Sequence, residues 1–248
     1  MFRSVILVLV LAGCVFAHEL RMRNNCHQTI WIGLLGNPGK GNPENGGFQL
    51  NGGQTHSVQV GQGWVGRVWG RTECDGSGHC VTGDCGNKIK CGGAGGIPPA
   101  TLAEIGFDGW QGQDFYDISL VDGYNLPAKI IPIPGTFKKS GNGKYDCNVA
   151  GCNSDLNSIC PGELAMKHNG KTVACKSACL VFNTDEYCCR GAHNKPETCK
   201  SSSWPKNYPA TFKRACPDAY SYAYDDTSST FTCRSSGNAN SGYEIVFC

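Results

Sequence analysis

The chain has 248 residues, a formal charge of +2, 40% apolar and 17% charged residues, with 17 cysteines and 34 glycines. The apolar share excludes a disordered chain, and the near-neutral balance excludes a general nucleic-acid or polybasic membrane binder. The cysteine count excludes an ordinary cytosolic enzyme and points to a disulfide framework in an oxidising compartment.

In chain order, Arg3 precedes the apolar run Val5 to Val10, which continues to Phe16. Val15 and Ala17 occupy the −3 and −1 positions of a signal-peptidase site, so residues 1–17 read as a signal peptide and His18 as the first mature residue. The rival reading is a lipoprotein box at Leu11, Ala12, Gly13 and Cys14. The run is too short to span a membrane, and no later stretch is long and apolar enough. A secreted, extracellular protein is the expectation. Setting Cys14 aside leaves an even number of cysteines, sixteen, and none of their spacings suits zinc.

Candidate strands are Thr29–Leu34, Ser57–Val60, Val65–Arg71, Thr101–Phe107, Phe115–Val121, Ala128–Ile133, Ala219–Tyr224, Thr230–Cys233 and Tyr243–Phe247. They are rich in β-branched and aromatic residues and bounded by Gly, Asn and Pro. Asn45-Gly46 and Asn51-Gly52 read as hairpin turns. Residues 72–99 hold four cysteines, much glycine and few large apolar groups, so they form a lobe that depends on its bridges. Residues 154–216 form a second cysteine-rich segment with short helices at Lys176–Phe182 and Ala210–Ala215, the latter started by Asn207 and Pro209. The remaining blocks, 18–71, 100–153 and 217–248, carry the strands of an all-β core, a sandwich or barrel.

The run Gly76, Ser77, Gly78, His79, Cys80, Val81, Thr82, Gly83, Asp84, Cys85 resembles the thaumatin signature. Segments around Gly66 to Arg71, Ala103-Glu104, Asp114 to Ser119, Asp122 to Pro127 and Cys216 to Tyr222 are similar to that family as well. The resemblance implies a flattened β-sandwich with two disulfide-rich lobes and eight disulfides. The implied pairs are Cys26–Cys248, Cys74–Cys80, Cys85–Cys91, Cys147–Cys233, Cys152–Cys216, Cys160–Cys175, Cys179–Cys188 and Cys189–Cys199. The sequence departs from the pattern at Asn87, where the signature has glycine, and in the short Cys74–Cys80 loop.

The resemblance also implies an acidic cleft formed by Arg67, Glu104, Asp117, Asp122 and Asp218. In a strand over Thr101–Phe107, Glu104 and Leu102 share the face opposite Ala103, Ile105 and Phe107; in Phe115–Val121, Asp117 and Ser119 lie opposite Ile118 and Leu120. Asp122-Gly123 reads as a turn that swings that carboxylate back. Two carboxylates flanking a glycosidic bond can hydrolyse it. The expectation is Glu104 as general acid and Asp117 as its partner, with Arg67, Asp122 and Asp218 binding substrate. Asp84 reads as structural, Asp225 and Asp226 as solvated charges, and Trp64, Trp69 and Trp110 as candidate sugar platforms, with core packing favoured for Trp69.

The implied function is a secreted defence protein that binds β-1,3-glucan of fungal walls, with weak endo-β-1,3-glucanase activity open. The alternatives are a glucan lectin or membrane-perturbing antifungal protein without turnover, and an inhibitor or ligand of other proteins. No metal or organic cofactor is implied, and a monomer is expected.

Overall fold

The computed structural model describes residues 17–248; the expected signal-peptide segment up to residue 16 lies outside the described residues. Two sheets pack face to face. The five-stranded sheet runs in the order Ala150–Cys152, Ala128–Pro132, Tyr243–Phe247, Ala17–Asn24 and Thr55–Gly61. The larger sheet runs Phe137–Lys138, Phe231–Ser235, Gln113–Ser119, Leu102–Gly106, Val65–Cys74, Ile30–Gly36 and Gly47–Leu50, with Cys80–Thr82 pairing off the long Val65–Cys74 strand. The apolar faces of both sheets form one core: Leu20, Met22, Ile130 and Ile245 from one, Ile32, Val68, Ile105 and Ile118 from the other.

The first and last strands lie side by side in parallel, Leu20 opposite Tyr243 and Asn24 opposite Phe247. That register delivers Cys26 to Cys248, whose Cα atoms are 5.1 Å apart. The other seven bridges join the partners implied by the resemblance.

Between Cys160 and Cys216 the chain forms a small hairpin, Ala165–His168 with Lys171–Cys175, and the helices Ala178–Phe182, Asp185–Cys188 and Tyr208–Ala215. The Asn207 side chain accepts from the Ala210 amide and caps the last helix. Residues 72–99 are mostly turns fastened around Arg71. This guanidinium is fully buried and donates to the carbonyls of Ile32, Lys88 and Ile89.

Three expectations are corrected. Ala219–Tyr224 forms no strand: it touches the sheet at one bridge, Ser119 with Tyr220, and then curls because Asp225 accepts from the Ser221 amide and hydroxyl. Asn51-Gly52 joins no hairpin; its flanking strands belong to different sheets, so the turn carries the chain from one layer to the other. Asn45-Gly46, both at positive φ, ends a long loop between two paired strands rather than making a two-residue turn.

Candidate functional site: an acidic cleft on the larger sheet

Cross-strand register builds the site. Arg67 on Val65–Cys74 lies opposite Glu104 on Leu102–Gly106, and Glu104 lies opposite Asp117 on Gln113–Ser119. One cation and two carboxylates therefore stand in a row on the face turned away from the core. Directly opposed residues hold their Cβ atoms about 4.5–5.5 Å apart, so the two carboxyl groups are close neighbours. After Ser119 the chain breaks from the sheet. Gly123 donates to the Leu120 carbonyl and takes φ 86°, which brings Asp122 onto the wall of the same cleft. A side chain at position 123 would lie 2.6 Å from Pro99 and 2.7 Å from the Cys175 carbonyl, so glycine is required for this turn. The cleft holds about 390 Å³, and Tyr220 forms its other wall.

The carboxylates are poorly solvated. Burial raises the Glu104 carboxyl above its ordinary range; Arg67 opposes this and Asp122 adds to it. Asp117 is pushed up to about 8, first by burial, then by the negative charges of Glu104 and Asp226. Its Oδ1 is buried and accepts no hydrogen bond. A carboxyl group in that position favours its neutral form.

Asp218 is the residue that register does not bring in. It pairs with Lys144 and is absent from the cleft lining. It follows Cys216, which is bonded to Cys152, and precedes the buried Ala219. Asp226 is the acidic residue nearer the site. It accepts from the Tyr220 hydroxyl at 2.9 Å, and its charge acts on Asp117. Its place is set by Tyr220, which pairs with the cleft strand through Ser119, a contact that no sequence pattern marks. Asp225 beside it is structural: it accepts from Ser221 and Ser228 and pairs with Lys213 at 2.9 Å.

Beyond the charged row lies an apolar one on the same face. Val65 is opposite Gly106, and Gly106 opposite Phe115. With no side chain on Gly106, this row forms a trough of about 350 Å³ that runs on from Glu104 and Asp117. Val65 and Phe115 line it while 36% and 37% exposed, and Trp110 in the adjoining loop is 72% exposed. Trp64 and Trp69 are core residues whose indoles donate to the Gly41 and Gly83 carbonyls, so of the three candidate platforms Trp110 alone is exposed.

The departures in the small lobe leave the cleft intact, because no residue of 72–99 lines it. Asn87 sits at φ 57°, a left-handed conformation that asparagine tolerates, and thus replaces the glycine without remodelling the turn. Asp84 is structural as expected: burial would raise its pKa, but the amides of Cys80, Gly86 and Asn87 hold it below the usual range.

The chain matches the Thaumatin family over residues 24–248. It is 49% identical to "Pathogenesis-related protein 5" of Arabidopsis thaliana over 98% of this chain and 95% of that protein. It is 42% identical to a "Glucan endo-1,3-beta-glucosidase" of Prunus avium over the whole of both chains (100% each). Among solved structures, the fold is similar to that of a laminaripentaose-producing beta-1,3-glucanase in complex with laminaritetraose. The TM-score is 0.55 at 10% identity, covering 93% of this chain and 98% of the other. These matches and the eight-disulfide sandwich lead to one conclusion: the chain belongs to the thaumatin family.

Proposed function

We propose that this is a secreted, extracellular defence protein that binds β-1,3-glucan of fungal walls along the acidic cleft and hydrolyses it slowly. The observation that carries the reading is the opposed pair Glu104 and Asp117 on the open sheet face, flanked by Arg67 and Asp122. The names of the Arabidopsis and Prunus relatives support it. The trough over Gly106 extends the cleft, giving room for more than one sugar ring, with Trp110 and Phe115 offering apolar faces.

We assign the two roles in the reverse of the sequence expectation. The group that keeps its proton at neutral pH is Asp117, which is more deeply desolvated and sits between two negative charges. Asp117 therefore serves as general acid to the leaving oxygen. Glu104, beside the Arg67 cation, ionises first and serves as nucleophile or base. Arg67 favours the ionised form of Glu104, and burial, with the charges of Glu104 and Asp226, favours the protonated form of Asp117.

The test is release of new reducing ends from soluble β-1,3-glucan by the purified, oxidised protein, with Glu104→Gln and Asp117→Asn alongside. Loss of release in both folded variants, with glucan binding retained, supports hydrolysis. Binding without release by the parent reduces the reading to a lectin. Neither binding nor release overturns it and favours the inhibitor alternative.

A further inference from the structure

A second cavity lies behind the Asp122 wall, in the larger disulfide-rich lobe. It adjoins the acidic cleft, sharing Val121, Asp122 and Ala223 with it, and differs from it in chemistry. The helices Ala178–Phe182, Asp185–Cys188 and Tyr208–Ala215 form three sides, and the stretch 221–223 closes the fourth. Its volume is about 90 Å³. An apolar cavity of about 150 Å³ takes benzene; this smaller one opens to the surface, so a single six-membered ring can enter without being fully enclosed.

The walls are aromatic. Tyr187 and Tyr222 stand edge-on to Trp204, at centroid distances of 5.1 Å and 5.7 Å. Phe212 lies on the core side, and Leu180, 39% exposed, lies at the mouth. The indole N–H of Trp204 is buried without an acceptor, which is unusual, since a buried indole normally finds one. Among the described residues, the single charged one in the lining is Asp122, at the edge shared with the acidic cleft, and no lysine, arginine or histidine lines the cavity.

From the aromatic walls and the uncompensated Asp122 edge we infer that the cavity is a binding site for an uncharged, ring-sized apolar molecule, and that it rejects anions. Ring stacking and burial supply the affinity. Asp122 at the edge, with no cation in the lining, sets the charge selectivity. The site stands whether or not the cleft takes glucan.

Benzyl alcohol and benzoate are matched probes for the ring and the charge. With ¹⁵N-labelled full-length mature protein, the five tryptophan indole resonances are followed during titration, Trp204→Phe identifying its own signal. The expected result is a saturable shift of the Trp204 indole by benzyl alcohol and affinity for benzoate at least tenfold weaker. Ala178→Leu, which fills the cavity from a buried position, weakens benzyl alcohol at least tenfold. Leu180→Arg, at the exposed mouth, keeps the fold and reverses the preference toward benzoate. An unmoved Trp204 signal at saturating benzyl alcohol overturns the site. So do equal shifts by both probes that persist in Leu180→Arg.

Discussion

At Asp117 the proposed acid role carries a cost in stability. Its folded-state pKa of about 8 stands above the ordinary 3.8. Between those values the unfolded chain has released the proton and the folded chain still holds it. Stability therefore falls as pH rises through the window and levels off above about 8. Asp117→Asn removes the charge that must be buried at high pH. The expected outcome is a variant without glucanase activity that is more stable than the parent at pH 8.5, by about 1–3 kcal/mol, with the difference gone at pH 4. Thermal melts at the two pH values check this; a variant destabilised at both would mean that the carboxylate is satisfied. Glu104→Gln carries a companion prediction. It removes one of the charges that raise Asp117, so the Asp117 carboxyl, followed by NMR, titrates at lower pH than in the parent. At this scale the sequence was informative about Glu104 and Asp117, because strand periodicity placed each on an open face. It was not informative about Asp218 and Asp226. Their positions depend on where a loop leaves the sheet, and no periodic pattern encodes that.

At the scale of elements, the cleft is a product of register among three strands, and Gly106 shows how. It occupies the middle of the apolar row, has an ordinary φ, and a Cβ there would meet Val65 at 3.6 Å, a normal contact. Gly106→Leu is therefore expected to fold while filling the trough between Val65 and Phe115. Binding of long glucans weakens about tenfold, and that of the shortest oligosaccharides changes little. Isothermal titration with glucans of graded length reads the difference; an unchanged length dependence would place the sugar chain elsewhere. The strand segments were legible wherever β-branched and aromatic residues recur, as in Tyr243–Phe247. The first strand, Ala17–Asn24, was missed although His18, Leu20 and Met22 alternate with Glu19, Arg21 and Arg23 and are buried. Its charged face reads as polar loop until the parallel partner at the C-terminus is known. Ala219–Tyr224 failed in the opposite sense: its tyrosines suit a strand, but Asp225 offers Ser221 better hydrogen bonds than a neighbouring strand would.

For the whole molecule, the Cys26–Cys248 closure acts on the five-stranded sheet. Cys26–Cys248 spans 222 residues of sequence, but the seven other bridges already restrict the unfolded chain. The simple loop-entropy value of about 5 kcal/mol is therefore an upper bound. The native-side consequence is more local. The bridge sits directly after the parallel pairing of Ala17–Asn24 with Tyr243–Phe247, at the centre of the five-stranded sheet. Replacing both cysteines with serine frees two strand ends in a layer whose inward side chains, Leu20, Met22, Ile245 and Phe247, are fully buried. The expected loss is about 2–4 kcal/mol, read as a lower denaturant midpoint with an unchanged slope. Hydrogen exchange in Ala17–Asn24 and Tyr243–Phe247 rises first. Exchange in Leu102–Gly106 and Gln113–Ser119 follows only at global unfolding, because those strands belong to the other sheet and are paired there with each other, with Val65–Cys74 and with Phe231–Ser235. Glucan binding by the folded fraction stays at the parent level. If exchange instead rises equally in both sheets under native conditions, the sandwich opens as one unit, and the terminal bridge secures the cleft as well as the ends.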